Sequence, residues 1–214
     1  MSADPPHPAV RDVREERGFL RVGSGNALYV HTYVPEGDPA HGIPVVVVPP
    51  DGEERMWSAT TVANLCRFLA RRGFAVARFD HRGQGESDGD YETTDVHTRV
   101  ADLNAVCTRV RERWGERPAL VALRLGAAIA ARAAAADPSG FGPIVAVEPV
   151  ENPAAVVGEV LRKNIANQYM LYQAVRESRE ELERRVLAGE PVSCNGWRLG
   201  RPFVESPRDP SWPA

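Results

Sequence analysis

FAVARFDHRGQGESDG, residues 74–89, is the stretch that decides the fold. Phe74 to Phe79 is a short run of strand-forming residues, and it passes directly into a polar loop, Asp80 to Asp90. Gly83 and Gly85 let that loop adopt backbone angles other residues resist. Upstream, Val62, Leu65, Cys66 and Leu69 recur at i, i+3, i+4 and i+7, which predicts an amphipathic helix stopped by Gly73. Before it, Ile43 to Val48 is an apolar, β-branched run, as expected of a strand covered on both faces. Downstream, Val100, Leu103, Val106 or Cys107, Val110 and Trp114 mark a second helix. Ala119 to Leu123 is a third buried strand, Ala127 to Ala136 an alanine-rich helix of high intrinsic propensity, and Gly142 to Val147 a further strand. Strands alternating with helices imply right-handed crossovers into a parallel sheet with helices on both faces. Ahead of this unit, Gly18 to Val22 and Ala27 to Val34 form an antiparallel hairpin around Gly23–Asn26. The predicted architecture is a three-layer α/β domain, mostly parallel, with an N-terminal antiparallel hairpin.

The flanks read differently. Pro5, Pro6 and Pro8 argue against regular structure in the opening segment, and residues 1–17 are expected to be flexible. Pro202, Pro207, Pro210 and Pro213 give the same expectation for a proline-rich tail over 201–214. Residues 18–150 form the α/β core. Residues 151–200 form a helical segment acting as a lid or as a cover for the sheet edge. Within it Val157, Val160, Leu161, Ile165 and Tyr169 share a helical face, and Ser178–Glu181 is a capping box. Val192 and Cys194 face Trp197 and Leu199 across Asn195–Gly196, a small type I′ hairpin.

The 214 residues carry a formal charge of −3 and a pI near 6.0, which leaves no basic field for a phosphate backbone. Nucleic acid is excluded as a partner on that ground. Cys66, Cys107 and Cys194 are too widely spaced for a zinc site or redox dithiol, so no metal is expected, and no cofactor motif is present. Cys66 and Cys107 fall on apolar helical stripes, whereas Cys194, beside a turn, is expected to be more exposed. With neither a leader-like start nor a bilayer-length apolar run, a cytoplasmic protein without membrane contact is expected.

The loop Asp80–Gly89, DHRGQGESDG, resembles the Asp-x-Arg-Gly-x-Gly-x-Ser loop that follows the fourth strand of α/β-hydrolases. The resemblance runs roughly from Gly18 to Leu199. It implies a Gly-x-Ser-x-Gly turn presenting a nucleophile over the sheet, with an acid and then a histidine further along the chain. Ala122-Leu123-Arg124-Leu125-Gly126 stands there instead. A guanidinium stays protonated and cannot form an acyl-enzyme by the serine route. All five histidines, His7, His31, His41, His81 and His97, precede Arg124. PPDGEERMWS from Pro49, LARRGFAVARFD, ALRLGAA and LAGEPVSCNGWRLG further resemble the exosortase (type A) system-associated hydrolase 2 family. That resemblance implies a hydrolase by fold and an exopolysaccharide setting. Against an α/β-hydrolase the chain is C-terminally shortened, without clear seventh and eighth strands. Its last strand is then an edge open to another chain unless the late helices cover it.

Ligands of such sheets bind at the carboxyl ends of the strands. The candidate ligand-binding set is therefore Arg124, Leu125, Asp51, Gly52, Glu53 and Glu54. Arg124 opens a helix whose N-terminus favours an anion, so it either binds an acidic group of a ligand or pairs internally with Glu53 or Glu54, and a ligand could displace one glutamate. His81 and Glu53 are the candidates for proton transfer, although a surface position fits His81 better. Asp80, Arg82 and Ser87 read as a structural turn, Asp95 and Asp102 as capping or solvated residues, and Glu180–Arg185 as a solvated helix face. Three functions follow. The first is a non-hydrolytic pseudoenzyme binding a small acidic molecule or a protein partner. The second is a serine-free enzyme (lyase, cyclase or atypical hydrolase) stabilised by Arg124. The third is a subunit, including a homo-oligomer, completed through the sheet edge. The first ranks ahead.

Overall fold

A computed structural model of the chain describes residues 11–208 apart from 24, 38 and 40. In chain order the main elements are β1 (Val13–Val22), β2 (Asn26–Pro35), β3 (Val45–Val48), α1 (Gly52–Arg71), β4 (Val76–Phe79), α2 (Val96–Trp114), β5 (Ala119–Leu123), α3 (Leu125–Ala136) and β6 (Ile144–Val147). There follow α4 (Pro153–Tyr172), α5 (Arg179–Leu187), β7 (Val192–Cys194), β8 (Trp197–Leu199) and α6 (Arg201–Glu205). Six strands form one sheet in the order β1-β2-β4-β3-β5-β6. The β1–β2 and β2–β4 pairs are antiparallel, and β4, β3, β5 and β6 are mutually parallel. This is the expected α/β-hydrolase architecture, an antiparallel hairpin leading into a parallel sheet.

The helices form for the reasons their sequences give. Asp95 caps α2 by accepting the Thr98 N–H at 2.6 Å, and Gly115 ends it with a left-handed φ of 80°. Ser178 and Glu181 make the reciprocal capping box of α5. Val45 to Val48 are all buried, as a central parallel strand between two helical layers requires. Asn195 and Gly196, both at positive φ, turn the β7–β8 hairpin.

The structure corrects both expected ends. β1 begins at Val13, inside the stretch read as flexible, because β2 is long enough to pair with it over ten residues, from Val13–Pro35 to Val22–Asn26. Ion pairs to the helices, Glu15 with Arg67 and Glu16 with Arg113, hold the same segment. Residues 201–208, read as tail, form α6 and a 3-10 turn, and Phe203, Val204 and Pro207 are buried. Pro202 lies in the first turn of α6, where its missing N–H costs nothing. Residues 1–10 and 209–214 lie outside the described ones.

Among the described residues, the segment after β6 leaves the sheet edge uncovered. Val157, Leu161, Leu182, Val186, Val192, Cys194, Leu199 and Phe203 join the same apolar core as Leu103, Val106, Leu120 and Leu125. That places the cap over the carboxyl ends of the strands, leaving β6 with every residue exposed. No helix among the described residues is long and apolar enough to cross a membrane.

Candidate functional site

The loop after β3 is shaped by its own residues. Pro49 and Pro50 hold the chain extended and donate no backbone hydrogen bond. Gly52 then turns it at φ 53°, and α1 starts immediately, so Gly52–Met56 are helical. Glu53 and Glu54 consequently sit in the first turn of α1, where the helix dipole favours carboxylates. Asp51 stands at the cap position without capping the helix. Its carboxylate accepts hydrogen bonds from Arg99 Nε (2.6 Å), the Tyr91 hydroxyl (2.6 Å) and Gln84 Nε2 (2.7 Å). Gln84 closes the circuit by accepting the Gly52 N–H at 3.0 Å. Burial works against the charged Asp51. The Arg99 charge and the hydrogen bonds from Arg99 and Tyr91 outweigh it and hold the carboxyl below its ordinary range. Arg99 is completely buried and lies against the rings of Tyr91 and Phe203, 5.3 and 5.0 Å from their centroids.

Arg124 lies at the turn between β5 and α3 with φ 53° and ψ −124°, a conformation that is strained for a residue with a side chain. Its N–H donates to Val147 O at 3.0 Å and its carbonyl accepts from Ala127 N, which fixes the turn between β6 and α3. Gly126 follows. A Cβ there would come within 2.5 Å of Pro49 O, so glycine is what lets the start of α3 approach the β3 loop. The Arg124 guanidinium turns to Glu54: Nε donates at 3.2 and 3.3 Å and Nη2 at 3.1 Å. Glu159 of α4 is 3.9 Å away. Hydrogen bonding to Glu54, followed by the charges of Glu54, Glu159 and Glu148, raises the Arg124 pKa further. Both partners keep about a third of their side-chain surface in water.

Between these turns and the cap lies a cavity of about 50 Å³, room for one or two waters. Asp51, Gly52, Glu53, Glu54 and Leu125 line it from the core, and Val156, Glu159, Lys163, Asn195 and Trp197 are among the residues lining it from the cap. Glu53 bridges the two sides, accepting from Lys163 Nζ at 2.8 Å and Asn195 Nδ2 at 3.0 Å. Hydrogen bonding from Lys163 leads the effects that lower its pKa. Cys194, expected to be exposed, is 2% exposed on the cavity wall, and burial pushes its thiol up to about 11. Tyr91 lines the same cavity, and Trp197 and Phe203 pack on its ring.

The structure thus gathers Asp51, Gly52, Glu53, Glu54 and Leu125 around one cavity and sets Arg124 beside them. It does not bring His81 there. That histidine is 1% exposed rather than on the surface, edge-on to Phe79, with Nδ1 3.5 Å from Asp102. Asp102, read as a cap or solvated residue, is fully buried. It accepts from Arg82 N at 2.9 Å and Arg82 Nε at 2.6 Å, because α2 packs directly behind the loop. In the same loop Asp80 pairs with Arg55 at 2.5 Å, and Ser87 Oγ donates to Asp80 O at 2.6 Å and accepts from Tyr29 N. The reading missed Tyr91, Arg99, Lys163 and Asn195. Arg99 alone had a signal, since it interrupts the apolar stripe Val96, Leu103, Val106 and Val110 at helical spacing. No group of three His, Cys, Asp or Glu among the described residues is placed to hold a metal ion.

This arrangement, with a sharp strand-to-helix turn after the fifth strand facing the loop after the third, defines the class as α/β-hydrolase-fold proteins. Residues 55–191 match the family model described as serine aminopeptidase, S33, and the chain belongs to that family. Among solved structures it is similar to a hypothetical protein from Pseudomonas aeruginosa (13% identity, TM-score 0.59, covering 99% of this chain and 78% of that one). It is also similar to an esterase from Pyrococcus furiosus (17%, 0.57, 75% and 57%). An α/β serine hydrolase without a lid from Xanthomonas campestris matches at 26%, 0.53, 68% and 64%. The chain spans less than two thirds of the length of the latter two. No curated protein matches it in sequence.

Proposed function

We propose that this chain is a non-hydrolytic member of its family, in which Arg124 occupies the place of the nucleophilic serine. The observation that carries the reading is the backbone of Arg124, φ 53° at the turn from β5 into α3, the strained bend on which the fold presents its attacking group. A guanidinium has no lone pair for attack. Among the described residues His81 is sealed behind the site against Phe79 and Asp102.

The site then works by binding. A small molecule bearing a carboxylate, phosphate or sulfate would take the place of Glu54 on Arg124, with the N-terminus of α3 beside it. Both side chains of that pair are about one third exposed, so an anion can reach Arg124 from solvent beside the cavity. A protein partner engaging the cap is the other form of this reading, and the exopolysaccharide setting rests on sequence resemblance alone. The serine-free enzyme draws no support from its proton carriers: His81 is buried against Phe79 and Asp102 and does not line the cavity, and Glu53 is held by Lys163 and Asn195.

Two measurements test this. A panel of activated esters and aminoacyl amides gives no turnover above background for the wild-type protein. Thermal shift with phosphate, sulfate and small dicarboxylates gives stabilisation that Arg124→Ala abolishes. Turnover lost in Arg124→Ala would favour the serine-free enzyme, and anion effects identical in both proteins would remove the ligand assignment.

A further inference from the structure

β1 carries a glycine in its interior, opposite Val30 of β2. Strand alternation sets Gly18 on the same face as Glu16 and Leu20. That face looks toward α2, since Glu16 accepts from Arg113 Nη2 at 2.7 Å and Leu20 packs on the core that contains Val106 and Val110. The backbone of Gly18 is not left-handed, and a Cβ there would meet nothing within 4 Å among the described residues. Neither a turn nor a close approach therefore calls for glycine, although glycine weakens a strand interior and often marks the place where a ligand comes close to the backbone. The missing side chain leaves an open cavity of about 220 Å³ between the hairpin and α2, larger than the apolar cavity of about 150 Å³ that accepts benzene. Leu20, Val30, Val106, Val110 and Trp114 give it apolar walls. The charged residues lining it are Arg17, Arg109, Arg113 and Glu16, an excess of positive charge in a chain of net charge −3. It shares no lining residue with the cavity beside Arg124.

We propose that this groove is a second binding site, for a small aromatic carboxylate whose ring lies over Gly18 beside Trp114 and whose carboxylate meets Arg109 and Arg113. The glycine offers a flat stretch of backbone and Trp114 an aromatic wall, the surroundings that a planar apolar body fills best. The guanidinium groups suit a carboxylate, which they can grip through two hydrogen bonds. Glu16 does not use up that capacity. It is already held from two sides, by Arg113 at 2.7 Å and Arg14 at 2.9 Å, while Arg109 meets only its exposed helix neighbour Glu112 at 3.6 Å among the described ion pairs. An inorganic anion would leave the apolar walls in water, and a neutral aromatic would leave the arginines unused. Affinity therefore requires the ring and the charge in one molecule.

Isothermal titration calorimetry of the full chain with phenylacetate, its neutral isostere phenylacetamide, and acetate tests the proposal. Phenylacetate is expected to bind at least tenfold more tightly than either of the others. Gly18→Val fills the gap with a strand-forming side chain and is expected to weaken phenylacetate at least tenfold while the Tm holds or rises. The double variant Arg109→Ala, Arg113→Ala changes only the mouth of the groove. It is expected to bind phenylacetate no better than phenylacetamide, with an unchanged circular dichroism spectrum, and it carries the test should Gly18→Val fail to fold. Absence of phenylacetate binding overturns the proposal, and so does equal binding of phenylacetamide or an affinity that neither variant alters. The same titration in Arg124→Ala separates the two sites: phenylacetate binding persists there if the groove is the site, and its loss would assign the ligand to Arg124 and overturn the inference.

Discussion

Arg124 and Glu54 share three guanidinium–carboxylate hydrogen bonds of 3.1 to 3.3 Å beside the cavity, from the β5–α3 turn to the first turn of α1. The pair joins the two loops that would bracket a substrate in a working hydrolase. It is open enough to solvent to exchange partners.

Arg124→Ser tests what the turn lacks. The variant puts a hydroxyl on the strained bend, yet no described histidine stands ready to take its proton. It is expected to show no ester hydrolysis above background with p-nitrophenyl acetate and butyrate. Because both side chains are about one third exposed, the loss in stability is about 1 kcal/mol or less by urea titration. Robust turnover in Arg124→Ser would reveal a latent base.

Asp51 and Arg99 form the buried pair behind the cavity, and removing one partner strands the other. Asp51→Ala leaves a completely buried guanidinium without its counter-charge and is expected to cost about 3–5 kcal/mol. The double variant Asp51→Ala, Arg99→Met should be less destabilised than the sum of the single variants. Strict additivity in urea unfolding would show that the two are not coupled.

His31 gives the fold a pH dependence. Burial, reinforced by the Arg78 charge, lowers its pKa from 6.5 to about 4. Its Nδ1 lies 3.1 Å from the Tyr33 hydroxyl and its Nε2 3.1 Å from Glu15, and the buried ring stays neutral well below pH 6.5. The unfolded chain gains a proton near pH 6.5 and the folded one only near 4. This contribution is therefore complete above pH 6.5 and is lost as pH falls from 6.5 to 4. The loss is roughly 3 kcal/mol, read as a falling Tm, and His31→Asn should flatten most of it.

Gly126→Ala would drive a methyl group toward Pro49 O. Overpacking of this kind costs about 1–3 kcal/mol, and differential scanning calorimetry should show it. An unchanged Tm would mean that the β3 loop yields freely.

Glu53 latches the cap to the core through Lys163 and Asn195. Glu53→Gln is expected to change global stability by less than about 1 kcal/mol, while amides of Val156–Lys163 exchange with deuterium severalfold faster. Unchanged exchange there would place the latch elsewhere, in the apolar contacts of Val157 and Leu161.

Much of this protein was legible along the chain because the signals are local. The 3.6-residue stripe of Val62, Cys66 and Leu69 makes a helix, and the valine run of β3 makes a buried strand, whatever surrounds them. Ser178 and Glu181 cap α5 from three residues apart. The turn at Arg124 was legible from the strand before it and the alanine-rich helix after it. The partner of Arg124 was not, since Glu53 and Glu54 are neighbours in sequence and only the pitch of α1 sends one to Arg124 and the other to Lys163. His81 and Asp102 looked like surface groups because burial is set by what packs outside them, here α2 and its neighbours, and not by their own sequence. The proline-rich end read as tail for the same reason: Phe203 is apolar in any context, but only the packed cap of α4, α5 and the β7–β8 hairpin gives it a core to enter. Sequence determined which segments could become strands, helices and turns, since those choices depend on residues a few positions apart. Tertiary structure decided which charges are paired, which histidine is sealed and which strand is left bare, since these depend on surfaces brought together from a hundred residues away.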